Sequence, residues 1–240
     1  MRLDKGGSSA PRSMIKNGGV APFILASRAR HGRSTARRIH LMRSLLAGIA
    51  LLITSCVTRD THHHVVISVP DQRMAVLEDG KPIATYFVST SKYGLGDSPG
   101  SCRTPVGNLE IAQKIGGSAR SGAVFKDRRR TGEIVGPDSP GRDPIVSRIL
   151  WLRGREPQNA RAFARTIYIH GTPEERNIGL PVSYGCVRMR SYDVIQLYDI
   201  VGTGAQVTIV DAPLVALIPG ISPAGTRVAT AAGLPSAASR

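Results

Sequence analysis

Asp79-Gly80 is the pair that most narrows what this chain can fold into. It separates two β-rich runs, Arg73–Glu78 and Ile83–Thr90, and the tight hairpin turn that joins such runs needs positive φ at both central residues. The run Val65–Val69 comes just before, so the body is expected to open as a β-meander. Residues 91–107 are dense in Gly, Pro and Ser and read as a long loop, followed by a short strand at Asn108–Ala112. From Gly116 to Pro144 the chain is again Gly-rich and charged, and the basic run Lys126–Arg130 reads as a solvated loop. Arg165–Ile169 is β-like and leads straight into His170. Behind Ser191, the expected N-cap, Val194, Ile195, Leu197, Tyr198 and Val201 recur at helical spacing. Ala205–Val210 closes the body as a strand.

Composition matters chiefly for where the charge lies. The formal charge is +15, but the first 56 residues hold ten Lys/Arg and one acid, Asp4, which leaves 22 bases against 16 acids in the remainder. That modest excess suits acidic polymers in general and singles out none, and no basic motif with interleaved aromatics suggests nucleic acid. A chain of 240 residues accommodates one domain with extensions at both ends, because domains run to roughly 100–200 residues.

Ser44–Ser55, SLLAGIALLITS, is apolar but far shorter than the roughly 20 residues of a membrane-spanning helix. Basic residues precede it and small ones lead into Cys56, as in a secretory signal. Ile53-Thr54-Ser55-Cys56 resembles the lipobox of bacterial lipoproteins, in which the Cys thiol is acylated and becomes the mature N-terminus. The resemblance implies residues 1–55 as leader and signal peptide, with a true start possible at Met42. Cys56 would then be a lipid anchor, with 56–64 as a polar spacer. Within that spacer His62-His63-His64 reads as solvated chain and not as a zinc site, since consecutive residues point to alternate faces. The Ala/Pro/Gly/Ser-rich stretch 212–240 reads as a flexible tail.

Three cysteines, Cys56, Cys102 and Cys186, cannot all pair, and they form no metal knuckle. His170 is the only histidine outside the leader and the spacer. A thiol with an ordinary pKa near 8.5 is only slightly ionised at neutral pH and needs an imidazole to take its proton. The candidates for such a pair are His170 with either Cys186 or Cys102.

The surrounding residues distinguish the two. His170-Gly171-Thr172 ends a strand, and Ser183-Tyr184-Gly185-Cys186-Val187-Arg188-Met189 follows. This order resembles the signature of the L,D-transpeptidase (YkuD-like) family, and Ser89-Thr90-Ser91 and Thr104-Pro105-Val106-Gly107 resemble that family's upstream elements. The resemblance covers roughly residues 65–211. It implies a mainly β fold, a mixed β-sandwich or barrel-like domain, with one main helix after the active-site loop.

The resemblance also implies a function: a peptidoglycan L,D-transpeptidase of the cell envelope. The lipobox reading, with Val57 and not Asp after Cys56, implies a lipoprotein facing the periplasm and delivered to the outer membrane. Cys186 is then the nucleophile and His170 its base, oriented by the Gly171 carbonyl. The amides of Gly185 and Cys186 are expected oxyanion donors, Arg188 is expected to grip a stem-peptide carboxylate, and Ser183 to bind substrate or brace the loop. Many family members carry His where this chain has Tyr184. No metal or organic cofactor is implied. The expected partners are peptidoglycan stem peptides, and the membrane through the anchor, for a monomeric chain that binds no nucleic acid. An L,D-carboxypeptidase, which uses water as acceptor, and a non-catalytic wall-binding lipoprotein are the alternatives.

Overall fold

The computed structural model describes residues 58–221. The expected leader, the start at Met42, the anchor Cys56 and residues 222–240 lie outside the described residues. Ten strands follow in chain order: β1 (His63–Ser68), β2 (Arg73–Glu78), β3 (Lys81–Phe87), β4 (Gly107–Ile115), β5 (Ala123–Lys126), β6 (Arg129–Ile134), β7 (Ile145–Gly154), β8 (Tyr168–Gly171), β9 (Val187–Met189) and β10 (Gln206–Val210). Among the described residues one α-helix, α1 (Ser191–Ile200), lies between the last two strands.

The strands make one open mixed sheet in the order β3-β2-β1-β10-β4-β7-β5-β6, with β8 branching from β7 and carrying β9. The pairs β1–β10 and β8–β9 are parallel and the others antiparallel. The opening meander is present, and its turn has φ of 47° at Asp79 and 80° at Gly80, the two positive values that joining these twisted strands by two residues requires.

Side chains alternate across this sheet, so β1, β2 and β7 each feed apolar layers on both faces. The larger layer holds Val65, Ile67, Met74, Val76, Leu109, Ile111, Leu150, Leu152, Ile169, Val187, Met189, Val207 and Ile209. Val194 and Leu197 of α1 close over it and are fully buried; truncating such a leucine to alanine costs about 2–5 kcal/mol. The helix sits where its periodicity put it, but Ser191 does not cap it. No side-chain cap bond is made, and the Ser191 N–H instead donates to Glu175 Oε1 at 2.8 Å. A carboxylate brought by a distant turn thus satisfies a first-turn donor, and its charge suits the helix N-terminus.

Three expectations need correction. The stretch from 212 does not trail away at once: Leu214, Ile218 and Ile221 pack on Val66, Ala75 and Leu77, covering the sheet's opposite face where β1 and β2 would otherwise expose apolar side chains. The spacer belongs to the fold from Asp60 onwards. Asp60 accepts from the Gly202, His62 and His63 N–H groups, His63 Nδ1 lies 2.9 Å from Asp60 Oδ2, and His64 Nε2 lies 2.8 Å from Thr208 Oγ1. The loop expected over 116–144 contains the β5–β6 hairpin, turned at Asp127 and Arg128 with φ of 49° and 65°.

Candidate active site

The site is a product of strand alternation. In the parallel β8–β9 pairing, Ile169 faces Val187 and Gly171 faces Met189, all directed to the main core, while His170 faces Arg188 on the other side. Tyr168, two residues before His170, lies on that same other side in a cluster with Phe125, Ile149 and Trp151, and Cys186 packs against this cluster. Cys186 and Arg188, also two apart, therefore share the face of His170.

The half-buried Cys186 sulfur accepts from the Tyr168 N–H at 3.4 Å and reaches the Thr166 carbonyl at 3.5 Å. His170 is buried, and its Nδ1 lies 2.8 Å from the Gly171 carbonyl oxygen. A carbonyl only accepts, so Nδ1 carries the hydrogen and Nε2 is left as the basic nitrogen. Among the described residues the sulfur has no direct hydrogen bond to this ring. Gly171 has to be glycine, since a Cβ there would stand 2.6 Å from the Val146 carbonyl oxygen and 3.1 Å from Val194.

The electrostatics favour a neutral pair. Burial, helped by the positive Arg188, lowers His170 to about 4 against the hydrogen bond to Gly171, which acts the other way. Burial likewise raises the Cys186 thiol to about 11, although the Tyr168 N–H, Arg188 and Arg165 all favour the thiolate. At neutral pH the resting forms are thiol and imidazole, so any proton transfer between them must accompany bond formation at sulfur.

The loop before Cys186 is braced by the two upstream elements. Ser183 N–H donates to the Thr90 carbonyl at 2.9 Å, Lys92 N–H to the Ser183 carbonyl at 3.2 Å, and Arg188 and Ser89 exchange backbone bonds at 2.9 Å. Thr104 Oγ1 donates to the Gly185 carbonyl at 3.1 Å and accepts from the Ser91 N–H at 3.0 Å. Ser183 itself is buried, donates to the Cys186 carbonyl, and accepts from the Gly185 N–H at 3.2 Å. It holds the loop, and in doing so occupies the Gly185 amide expected at an oxyanion. The N–H groups of Cys186 and Tyr184 have no acceptor among the described residues and are the donors this loop can offer. Gly185 has φ of 117°, and a Cβ there would lie 3.2 Å from the Arg103 carbonyl oxygen.

Arg188 is not free to meet a ligand carboxylate. Its guanidinium lies 2.8 Å from Asp143 Oδ2 and 3.6 Å from Glu174 Oε2, and only 11% of its side chain is exposed. The residue pairs with acids of its own chain. Cys102 and Cys186 are both free thiols; Cys102 adopts a φ of 55° and its carbonyl accepts from Ser91 Oγ at 2.6 Å.

Two features escaped the sequence. Arg165 forms a buried ion pair with Asp97 at 2.8 Å and also donates to the Gly96 and Arg103 carbonyls, tying the long loop to the segment beneath Cys186. Arg128, from the run read as solvated, lies 4.7 Å from the Trp151 ring centroid and donates to the Tyr168 hydroxyl at 3.2 Å. Only their positions in space identify them.

A family model described as the L,D-transpeptidase catalytic domain, YkuD, matches residues 62–209. The putative L,D-transpeptidase YqjB of Bacillus subtilis is 28% identical over 149 residues, which are 62% of this chain and 71% of that protein. The probable L,D-transpeptidase ErfK/SrfK of Escherichia coli is 46% identical over 52 residues, 22% of this chain and 17% of that protein, so this chain spans less than a fifth of that relative. Among solved structures, L,D-transpeptidase 3 from Mycobacterium tuberculosis in complex with a faropenem-derived adduct superposes with a TM-score of 0.41 at 17% identity, covering 62% of this chain and 60% of that one.

Proposed function

This chain belongs to the L,D-transpeptidase catalytic domain family, and on that premise we propose that it is a cysteine acyltransferase acting on peptidoglycan stem peptides. The observation that supports this reading best is the placing of Cys186 and His170 on one sheet face, with Nδ1 committed to Gly171 and Nε2 left basic.

In the proposed reaction Cys186 Sγ attacks the carbonyl carbon of the donor's scissile amide while its proton passes to His170 Nε2. The oxyanion is met by the N–H groups of Cys186 and Tyr184. The C–N bond breaks, the leaving amine takes the proton from Nε2, and a thioester on Cys186 remains. An acceptor amine then attacks the thioester carbonyl, its proton passes to Nε2 and on to the departing sulfur, and the new amide is released. The acceptor is a stem-peptide or envelope-protein amine, and water in its place gives a carboxypeptidase. His170 starts each half-reaction neutral, as a base must.

We also propose that Cys56 is acylated, on the strength of the Ile53-Thr54-Ser55-Cys56 sequence behind an apolar run, which places the domain at a membrane surface of the envelope.

The catalytic reading is tested with a carbapenem and intact-mass spectrometry. The expected result is one adduct of the drug's mass, mapped to Cys186 and absent from Cys186→Ala, with turnover of a stem-tetrapeptide donor lost in the same variant. Labelling that persists in Cys186→Ala, or that maps to Cys102, overturns it.

A further inference from the structure

Beside the Cys186 loop the Lys92 side chain lies over two exposed tyrosine rings. Its Nζ is 4.5 Å from the Tyr184 ring centroid and 5.3 Å from that of Tyr93, and it donates to the Tyr184 hydroxyl at 3.2 Å. The rings are 5.7 Å apart and tilted by 51°, and Tyr93 and Tyr184 are 48% and 57% exposed. This group is fixed to the site by the chain itself. Lys92 N–H bonds the Ser183 carbonyl, Tyr184 is two residues before Cys186, and its ring centroid is 6.0 Å from Arg188 Cζ.

The charge balance indicates what such a group takes. Arg188, the cation opposite His170, is held by Asp143 and Glu174. Lys92 forms no ion pair with a carboxylate among the described residues, and ring faces orient an ammonium without cancelling its charge. A peptide that places its scissile carbonyl at Cys186 therefore meets, at Tyr184, an oriented positive charge without a carboxylate partner among the described residues, beside two aromatic faces.

We propose that Lys92, Tyr93 and Tyr184 form a subsite for a free carboxylate of the peptide donor, next to its scissile bond. The ammonium pairs with the carboxylate, and the two rings cover the aliphatic stem that bears it. This rests on the acyl-transfer reading above and adds to it the recognition of donor charge.

The test uses two synthetic donor peptides, one with its carboxylates free and the other with them amidated. Wild-type protein should show a KM about tenfold lower for the free acid, and Lys92→Gln should bring the two values within about twofold. Lys92→Arg, which keeps the charge, should restore part of the preference, and Tyr184→Leu should weaken it. Lys92 is exposed, so these variants keep the fold. An acid-to-amide ratio unchanged in Lys92→Gln overturns the proposal. Calorimetric binding of both peptides to Cys186→Ala separates it from the catalytic reading. Preference for the acid that depends on Lys92 upholds the subsite even without turnover, and equal binding of acid and amide overturns it even with turnover.

Discussion

His170 and Arg188 stand opposite one another in the parallel pairing of β8 and β9, and the guanidinium of one lowers the pKa of the other's imidazole. A base is usually placed near an acid that steadies its protonated form. Here burial keeps the ring neutral, the nearby charge, of the same sign as the imidazolium, adds to that effect, and the ring's orientation comes from an uncharged carbonyl, that of Gly171.

The first prediction concerns pH. With His170 near 4, the acid limb of kcat/KM, or of the rate of carbapenem acylation, should have its midpoint near pH 4 and not near the ordinary 6.5. Arg188→Gln should move that midpoint upward. Stability should follow the same group. The folded-state value lies below the unfolded one, so the contribution of neutral His170 is complete above pH 6.5 and is lost as pH falls towards 4, by roughly 3 kcal/mol in all. Urea melts at pH 7 and 4.5, on wild type and on His170→Gln, should show a smaller loss in the variant. An acid limb centred between pH 6 and 7 would rule out the buried, neutral base.

Arg188 is the second case, and its expected effect has moved from binding to stability. Removing its charge with Arg188→Gln leaves Asp143, 16% exposed in its side chain, without its cation, a loss of about 2–4 kcal/mol. Asp143 also accepts from the Thr172 hydroxyl, so Asp143→Asn keeps a partner at that position. The double variant should lose less than the two single losses together when all are measured by chemical denaturation. Additive losses would mean that the pair is not coupled.

The motifs visible in the sequence were those whose reasons are local or whose spacing is tied to one loop. Asp79-Gly80 specifies its turn by two φ values, and Ser183 folds back on Gly185 within three residues. Ser89-Thr90-Ser91 and Thr104 were legible as elements but not as braces, because their bonds to Ser183, Gly185 and Arg188 are long-range, spanning 81 residues in the case of Thr104. Other features carried no pattern at all. β6 is exposed along its whole length, so no alternation marks it, and its turn at Asp127-Arg128 lacks glycine. In β7 the register shifts between Val146 and Ile149, with Ser147 at a φ of 68°, which breaks the period of two that reveals a strand. Glu175 at the start of α1 and Asp97 beneath Arg165 act from distant segments, and the occupied Gly185 amide depends on one rotamer of Ser183.

Asp97 and Arg165 provide the third prediction. Their side chains are 4% and 9% exposed, and Asp97 also accepts from the Arg161 N–H at 2.6 Å. Asp97→Ala should destabilise the fold by about 3–5 kcal/mol, because it strands a buried guanidinium. Arg165 also binds the Arg103 carbonyl, next to Gly185, so the variant should lose acylation rate at temperatures where it remains folded. A rate equal to wild type there would confine the pair to a structural role.

The last prediction concerns the anchor. Asp60 is already fixed to the domain, its N–H bonding the Thr203 carbonyl at 2.8 Å and its carboxylate the Gly202 N–H. If Cys56 carries lipid, only the four steps from Cys56 to Asp60 separate acyl chain from folded body, a reach of at most about 14 Å. The spacer read from the sequence as 56–64 is thereby cut short, and the domain is held against the bilayer, able to reach only the nearest wall strands. Wild-type protein should therefore fractionate with membranes until detergent is added, with its mature N-terminus at Cys56. Cys56→Ser should appear in the soluble fraction with its carbapenem acylation rate unchanged, since the proposed acyl transfer runs through Cys186 and His170. Inserting a flexible segment of about 20 residues between Val57 and Thr58 should keep the protein on the membrane while changing which muropeptides it modifies in cells. A mature N-terminus upstream of Cys56, or an unlipidated soluble wild type, would remove the anchor, and the chemistry at Cys186 would be unaffected.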